Sequence, residues 1–286
     1  MPISNTLQVL CVLGPLAGSI PASAEVPANF RTGELVAWCI VPFDAKKRGP
    51  AARTEMLAEI GLKRCAYDWR AEHVPTFEEE ILHYKKHGVE YFAFWGEHEA
   101  AFSLFKKHGL TPQIWNTLPS PKTGTQEEQV AAAVTAMTPL AIKTARMGCQ
   151  LGLYNHGGWG GEPENLVAVC KALHARGHQH VGIVYNFHHG HGHIEDFAQV
   201  LARMKPHLLC LNLNGMADPP TVKGHQNKII PIGSGVHGKA MIATTLKSGY
   251  AGPIGILGHK AEEDVAVSLR NNLEGLARIL AELTGK

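Results

Sequence analysis

The sequence predicts an α/β protein that forms a single (β/α)8 TIM barrel. From Glu34 onward, eight short apolar runs alternate with eight amphipathic segments. Each pair takes about 30 residues, which matches the repeat of such a barrel. The chain has 286 residues, 45% hydrophobic and 18% charged, and this is enough to bury the core of one large domain. No linker marks a second domain, so we assign residues 25–286 to the barrel.

The predicted elements follow in a regular order. The apolar runs, which predict strands, are 35–43, 62–69, 89–96, 110–118, 150–158, 181–189, 208–215 and 252–259. The helical patterns are roughly 51–60, 76–88, 98–108, 125–148, 163–176, 194–204, 238–248 and 262–282. Thr76 and Glu79 have the spacing of a capping box, and Pro139 predicts a kink or break in the fourth helix. The irregular stretch 216–235 exceeds the usual loop length, which favours an active-site loop.

The first 24 residues predict a cleaved export signal. The apolar segment 7–20 is too short to span a bilayer comfortably, and Ala22-Ser23-Ala24 is a small-residue cleavage motif. No Lys or Arg precedes the apolar segment, so an uncleaved N-terminal arm is the alternative. We therefore expect a periplasmic or secreted protein that has no membrane segment once the signal is removed.

Charge and cysteine usage exclude several classes of protein. The formal charge is +2, and the run AKKRG (45–49) is too short to support nucleic-acid binding. Without Cys11, which lies in the signal, five cysteines remain, and an odd number without paired spacing predicts no disulfide framework. They are Cys39, Cys65, Cys149, Cys170 and Cys210. The absence of a C-x-x-C motif argues against a thiolate zinc site.

Polar and aromatic residues collect at the ends of the predicted strands, where barrels of this kind place their sites. They are Asp68, Trp69, Trp95, Glu97, His98, Asn116, Asn155, His156, Asn186, His188, His189, Asn212, Asn214 and His259. Trp faces stack on sugar C–H groups, and amides hydrogen-bond hydroxyls, so this set predicts a small carbohydrate as ligand.

The two-residue period of a strand assigns faces to the seventh run. It puts Leu209, Leu211 and Leu213 toward the helices. The alternate residues of this run, among them Asn212 and Asn214, then face the interior of the barrel. Two asparagines inside a strand are hard to explain by packing alone, because a buried amide without partners costs about 1–3 kcal/mol. The pattern favours a role in lining the site.

Two longer motifs resemble the xylose-isomerase-like TIM-barrel superfamily. One is IIPIGSGVHGKAMIATTLKSGYAGPIGIL (229–257), which is similar to that group's late Gly-rich loop, helix, turn and last strand. The other is LGLYNHGG (151–158), which is similar to its fifth-strand motif. The resemblance covers about residues 30–283, and YNHGGWGGEPEN and VYNFHHGHGH are typical of an exported branch. It implies sugar isomerase or epimerase chemistry and a divalent metal.

The metal ligands usual in this superfamily are absent from the matching positions of the chain. Members hold the ion with Glu, Asp, His and Glu on strands five to eight. The matching positions hold Tyr154, Asn186, Asn212 and Leu257. One inward step further along each strand stand His156, His188, Asn214 and His259. Three imidazoles from three strands predict a rebuilt site for Zn, Mn, Fe or Co, and the alternative is that each is a wall residue.

The catalytic hypothesis rests on proton transfer next to a sugar carbonyl. Asp68 and Glu97 are the best carboxylates, and neutral His156, His188 and His259 can also move protons near pH 7. The leading function is an isomerase or epimerase, with metal assistance as an option. The alternatives are a lyase or hydrolase on keto-sugars or glycosides, and a sugar-binding barrel without catalysis. Export favours unphosphorylated sugars.

Overall fold

The computed structural model describes residues 25–223 and 227–285. Eight parallel strands close into a barrel in sequence order, with β8 hydrogen-bonded to β1. The strands are β1 (Val36–Trp38), β2 (Arg64–Tyr67), β3 (Glu90–Trp95), β4 (Gln113–Thr117), β5 (Leu151–Tyr154), β6 (Val181–Asn186), β7 (Leu208–Leu213) and β8 (Ile254–Leu257). The predicted (β/α)8 architecture is confirmed. The proposed export signal at 1–24 lies outside the described residues.

One helix follows each strand and covers the outside of the barrel. The helices are α1 (Pro50–Ile60), α2 (Phe77–His87), α3 (Glu99–His108), α4 (Gln126–Arg146), α5 (Pro163–Ala175), α6 (Phe197–Met204), α7 (Gly238–Lys247) and α8 (Val265–Thr284). Four of them end at a glycine with positive φ, namely Gly61, Gly88, Gly109 and Gly285. The left-handed conformation satisfies the last carbonyls of a helix and is open to glycine without a Cβ penalty.

The predicted capping box at Thr76 and Glu79 is absent, because a short 3₁₀ helix precedes α2 and the Thr76 hydroxyl donates to the His73 carbonyl at 3.0 Å. Pro139 does not break α4, which continues from Gln126 to Arg146, and a kink there stays a prediction. A capping box is present two strand–helix pairs later, at the start of α4, where Thr125 and Glu128 each accept the other's backbone N–H.

The core has two layers, one between strands and helices and one inside the barrel. The inner layer is rich in aromatic rings, and Trp38 packs edge-on against Trp115 at 4.8 Å between centroids.

The assignment of Leu209 to the outer face is wrong. The register of β6 against β7 shifts by one residue near Ile183, so Leu209 packs against the inner layer while Leu211 and Leu213 face the helices.

The five described cysteines are all free and buried. Within residues 25–223 and 227–285, none of the helices combines the length and apolar character that crossing a membrane requires.

Part of the long loop 216–235 is described, and its residue Ile230 forms a bridge with Gly215 just beyond β7. This bridge holds the loop against the end of the strand, at the mouth of the barrel.

Candidate active site

A pocket of 160 Å³ opens at the carboxyl ends of the strands. It is lined by Trp38, Cys39, Phe43, Asp68, Arg70, Trp95, Tyr154, His156, His188, His189 and His259. A larger outer cavity of 560 Å³ shares Phe43 and His259 with it. The carboxyl ends of barrel strands are where catalytic residues of this fold are found, so this pocket is the candidate active site.

The floor of the pocket is aromatic. Trp38 donates its indole N–H to the Tyr154 hydroxyl at 3.0 Å, and Trp95 packs edge-on against Tyr154 at 4.7 Å. These rings project inward from β1, β3 and β5 and close the barrel beneath the polar residues. Ring edges and faces of this kind offer an apolar bed for the C–H groups of a small polar ligand.

Asp68 is the carboxyl group that faces this pocket. It follows β2, and its side chain is 2% exposed. One oxygen accepts the backbone N–H of Val41 at 3.3 Å, and the other has no hydrogen-bond partner among the described residues. Burial raises the pKa of the carboxyl from 3.8 to about 6, against the lowering effect of the Val41 N–H and of the Arg70 charge. Such a group exchanges its proton near neutral pH.

Two pocket residues have a strained backbone. Cys39 and His259 are not glycines, yet their φ angles are 54° and 57°. They are joined by a hydrogen bond from the His259 N–H to the Cys39 carbonyl at 2.8 Å. Left-handed conformations of L-residues cost about 1–2 kcal/mol each and cluster at functional sites. Burial, and then the charge of Asp68, raise the pKa of the Cys39 thiol well above its usual value, so the thiol stays protonated.

Four imidazoles form a row across the pocket. The ring centroids of His156 and His189 are 4.6 Å apart, those of His189 and His188 are 3.8 Å apart, and those of His188 and His259 are 5.8 Å apart. The row ends at Phe43, whose ring lies 4.0 Å from that of His259. His189 therefore stands between the imidazoles of strands five and six, which the sequence interpretation had placed side by side.

Three imidazoles of the row, those of His156, His188 and His189, are held in the neutral state. Burial lowers the pKa of His188 well below its usual value and that of His189 to about 2. Burial also lowers the pKa of His156, and the Lys228 charge adds to the effect at His156 and His189. The Lys228 amine lies 3.4 Å from Nδ1 of His189. Neutral imidazoles can donate an N–H to a ligand oxygen or accept a proton from a hydroxyl.

The positions that hold a metal in the superfamily that the sequence resembles do not fit one here. Leu257 and Tyr154 belong to the inner apolar layer, and the Tyr154 hydroxyl already accepts from Trp38. At Asn186 and Asn212 the side chains are neutral amides. Hard divalent ions prefer ionised carboxylates. We therefore derive no catalytic step through a metal at these four positions.

The rebuilt metal site stays a prediction. His156, His188 and His259 all line the same pocket, as expected. Within the described ranges, however, their ligand atoms do not lie within 4.8 Å of one another as a group. The Nδ1 of His188 is buried and has no hydrogen-bond partner among the described residues, so this imidazole is the member of the set best placed to receive a ligand.

The four asparagines predicted to bind substrate at β5, β6 and β7 do not line the pocket. Asn155 and Asn186 bind each other across strands: Asn155 Nδ2 donates to the Asn186 carbonyl at 3.1 Å, and Asn186 Nδ2 donates to Asn155 Oδ1 at 2.9 Å. Asn212 Oδ1 occupies the space above Gly255, where a Cβ would lie 1.8 Å away. Asn214 donates to the Lys228 carbonyl at 3.2 Å and fastens the long loop.

The other predicted contacts around β3 and β4 lie outside the pocket. The Trp69 ring stacks on Phe94 in the outer layer and meets the His98 ring edge-on at 4.8 Å. His98 caps α3 by accepting the Ala100 N–H. Glu97 is exposed and paired with Lys143. Asn116 is half-buried and does not line the pocket.

Sequence reasoning missed several residues of the pocket. They are Trp38, Cys39, Phe43, Arg70 and Tyr154, with Lys228 beside them. Arg70 lies 5.3 Å above the Phe43 ring. His189 was predicted to lie at a strand end but was given no role in the site, because the two-residue period was extended past Asn186, where a 3₁₀ turn over Phe187–His189 replaces the strand. The aromatic residues lie in apolar runs, where they cannot be told from core.

A second group of possible metal ligands lies far from the mouth of the barrel. The ligand atoms of Cys170, His174 and His207 all lie within 4.8 Å of one another. Cys170 and His174 are on α5, and His207 immediately precedes β7. The group is therefore at the amino ends of the strands, on the face opposite the pocket.

Comparison with known proteins gives structural matches only. No protein-family model matches the chain, and no curated protein matches it in sequence. The apo form of the 3-keto-D-glucoside 4-epimerase YcjR from E. coli is similar, with a TM-score of 0.61 at 14% identity, covering 86% of this chain and 98% of that one. The IOLI protein with a bound zinc atom has a TM-score of 0.66 at 12% identity, covering 88% and 100%.

A xylose isomerase-like TIM barrel protein from Mycobacterium smegmatis, in complex with magnesium, is also similar. Its TM-score is 0.56 at 17% identity, covering 88% of this chain and 97% of that one. Two of these three structures hold a metal ion. At such identities the likeness concerns the backbone. The chain has the fold of the xylose-isomerase-like TIM barrels, as the sequence resemblance predicted.

Proposed function

We propose that the chain is an enzyme of the sugar isomerase or epimerase kind that moves a proton next to a sugar carbonyl. The observation that carries this proposal is the buried Asp68, whose pKa of about 6 places its proton exchange near neutral pH. It shares a small aromatic-lined pocket with a row of neutral imidazoles. A tuned carboxyl beside groups that donate N–H bonds suits general acid–base catalysis.

The proposed reaction begins when the Asp68 carboxylate takes the proton from the carbon beside the carbonyl. The electrons of that C–H bond move into the carbon skeleton and the charge develops on the carbonyl oxygen. A neutral imidazole, best His188, donates its N–H to that oxygen and stabilises the enediolate or enol. For isomerisation, Asp68 returns the proton to the former carbonyl carbon, while the proton of the neighbouring hydroxyl passes through a pocket imidazole to the former carbonyl oxygen. For epimerisation, a solvent-derived proton must reach the opposite face of the same carbon, and a pocket imidazole such as His156 would relay it while Asp68 gives its proton to solvent.

The pocket supports an uncharged carbohydrate as substrate. Its floor is aromatic, and the adjoining outer cavity of 560 Å³ offers room for a second ring attached to the first. The similar structures include a 3-keto-D-glucoside 4-epimerase and a D-psicose 3-epimerase in the presence of D-fructose. A periplasmic or secreted location, which remains our proposal, would also favour free keto-sugars or glycosides over sugar phosphates.

Metal assistance is the second form of the proposal. His156, His188 and His259 would be its ligands, and Zn, Mn, Fe and Co are the candidate ions. Supporting it are the two metal-bound structures of the same fold. Metal analysis of protein purified without an affinity tag is the test, with the His156→Ala/His188→Ala/His259→Ala variant as the comparison. Loss of one equivalent of ion in the variant, relative to wild type, would support metal assistance, whereas no stoichiometric ion in wild type, or the same number of equivalents in both proteins, would remove it.

The test of the proposed reaction is proton exchange in deuterated water. Free keto-sugars and 3-keto-glycosides are incubated with the wild-type protein, the Asp68→Asn variant and, as control, the Glu97→Gln variant. NMR should show deuterium entering next to the carbonyl with wild type and Glu97→Gln. With Asp68→Asn the rate should fall by about 10²–10⁴, the usual share of a general base.

The products separate the remaining functions. Epimer or isomer supports the proposal, whereas an unsaturated product would show that the same abstraction leads to elimination. Saturable sugar binding without any deuterium incorporation would identify a binding protein and contradict the enzymatic proposal.

A further inference from the structure

The base of the barrel brings one thiol and two imidazoles to one point. Cys170 and His174 are four residues apart on α5, so they project from the same face of the helix on successive turns. His207 reaches them from the segment before β7, and its ring centroid is 5.4 Å from that of His174. The group is formed by two separate stretches of chain, and it has no part in the pocket at the mouth.

The spacing within the group fits a tetrahedral ion. Cys170 Sγ lies 3.5 Å from His174 Nε2. With a zinc–sulfur bond of about 2.3 Å and a zinc–nitrogen bond of about 2.0–2.1 Å at a tetrahedral angle, the two ligand atoms would be about 3.5 Å apart. All three ligand atoms lie within 4.8 Å of one another, so small side-chain rotations would bring them to a common centre.

The hydrogen bonds around the group leave one buried imidazole nitrogen without a partner among the described residues. Nδ1 of His207 is buried and has no hydrogen-bond partner among the described residues. His174 Nε2 and Cys170 Sγ both approach the Val181 carbonyl, at 2.7 and 3.5 Å. This carbonyl is a local partner for two of the groups, but it leaves His207 without one. A buried polar atom without a hydrogen-bond partner needs an explanation, and coordination of a metal ion is one of the few explanations that chemistry offers.

We propose that Cys170, His174 and His207 bind a zinc-type divalent cation that fastens α5 to the start of β7. Binding forms a sulfur–metal bond, and the thiol proton passes to solvent. His174 Nε2 gives up its hydrogen bond to the Val181 carbonyl, and the ring coordinates through Nε2 as the neutral tautomer that carries its proton on Nδ1. His207 coordinates as a neutral ring. A water molecule or a further side chain would complete the tetrahedron. Because the amino-terminal face of such barrels contributes to stability rather than chemistry, the role is structural.

This proposal is independent of the reaction at the mouth. It also qualifies the expectation from the sequence, which found no C-x-x-C motif and therefore no thiolate zinc site. That expectation concerned sites built on paired cysteines. A single cysteine one helical turn from a histidine, with a third ligand 33 positions beyond the latter, carries no motif that a sequence search would single out.

Cobalt titration of the full chain tests the proposal. Protein made without an affinity tag is stripped with EDTA and titrated with Co²⁺, then with Zn²⁺ as competitor. We expect one equivalent of cobalt to give a sulfur-to-metal charge-transfer band and the visible bands of tetrahedral cobalt, both removed by zinc. Zinc should also raise the melting temperature, because it binds the folded state.

Matched variants locate the ion. Loss of a residue that only hydrogen-bonds to a metal ligand weakens metal binding by about 10–100-fold. Cys170→Ser and His207→Asn each remove a ligand itself and should weaken metal binding by more than this. Cys149→Ser, a buried cysteine elsewhere, and His178→Asn, a neighbouring imidazole, should bind as wild type. His207 is half-buried, so His207→Asn keeps the test usable if Cys170→Ser folds poorly. Absence of the charge-transfer band, or a band that survives Cys170→Ser, would overturn the proposal.

Discussion

The two ends of the barrel use histidine in different ways. At the mouth, His156, His189, His188 and His259 stand ring against ring in a row, beside a buried carboxyl and above an aromatic floor. At the base, the imidazoles of His174 and His207 meet the Cys170 thiol with their ligand atoms grouped around one point. The row suits contact with an extended ligand, and the group suits a single ion.

The difference teaches that geometry, more than residue type, assigns the chemistry. The imidazoles at the mouth come from the ends of β5 and β8 and from the 3₁₀ turn after β6, so their rings lie side by side. At the base, a four-residue helical spacing directs two ligands the same way. Counting histidines along the sequence points to the mouth, whereas the compact ligand group is at the base.

Removing an imidazole at the mouth should have the largest effect. His188→Leu keeps the volume of a buried side chain but removes the N–H that would polarise the carbonyl. We expect proton exchange to fall by about 10²–10³, as for loss of one oxyanion donor. His188→Gln should retain part of the rate, and His207→Asn at the base should retain all of it. Equal loss in His188→Leu and His207→Asn would show that both ends act only through stability.

The pH dependence of stability sharpens the comparison at Asp68. Its pKa is higher in the folded protein, about 6 against 3.8, so the folded state binds this proton more tightly. The free energy of unfolding should therefore decrease as pH rises from about 4 to about 6, by roughly 3 kcal/mol from this group. Asp68→Asn should remove that slope and be more stable than wild type at pH 7. Urea unfolding between pH 4 and 7 measures it, and a slope that persists in Asp68→Asn would contradict the assignment.

The strained backbone at His259 predicts a smaller effect. Its φ of 57° penalises any residue with a Cβ by about 1–2 kcal/mol. His259→Gly and His259→Ala both remove the ring, but only glycine relieves the strain. His259→Gly should therefore be the more stable of the pair in thermal unfolding, by about 1 kcal/mol after the entropy of glycine is considered. Equal stability of the two variants would mean that the backbone relaxes there.

The smallest expected effect is on the stability of the metal-free Cys170, His174 and His207 group at the base of the barrel. In metal-free protein, His174→Asn removes the hydrogen bond from Nε2 to the Val181 carbonyl and should cost about 0.5–1.5 kcal/mol. His207→Asn should cost less, since Nδ1 of His207 has no partner in the described part of the chain. Chemical unfolding of both variants in EDTA decides this. A larger cost for His207→Asn would reveal a structural role that needs no ion.

The sequence predicts the barrel well because the spacing of its apolar residues reflects which faces of the strands and helices are buried. Apolar runs and amphipathic helices follow from burial on both faces of a parallel sheet, and all eight pairs are present. The strand ends also predict Asp68, Trp95, His156, His188 and His259 for one site, and all five line the pocket. The two-residue period fails where the backbone departs from a strand. The shift near Ile183 turns Leu209 inward, and the turn after Asn186 brings His189 into the row.

The predicted role of the asparagines in substrate binding stays a prediction. Their amides are buried, as the pattern indicated, and several of their partners are protein atoms: Asn155 and Asn186 bind each other, and Asn214 fastens the long loop. Among the described residues, Asn186 Oδ1, Asn212 Nδ2 and Asn214 Oδ1 have no hydrogen-bond partner. A sequence cannot distinguish an amide that binds a ligand from one that binds the next strand, because that depends on contacts between residues 31 positions apart.

The most direct test of the acid–base pocket is the titration of Asp68 itself. Carbon-13 NMR of the carboxyl resonance, identified by its absence in Asp68→Asn, follows the protonation of this one group across pH. We predict a midpoint near 6, because burial disfavours the charged carboxylate. A midpoint at or below the ordinary 3.8 would mean that the carboxyl is well solvated or firmly paired, and the proposed base would have to be sought elsewhere.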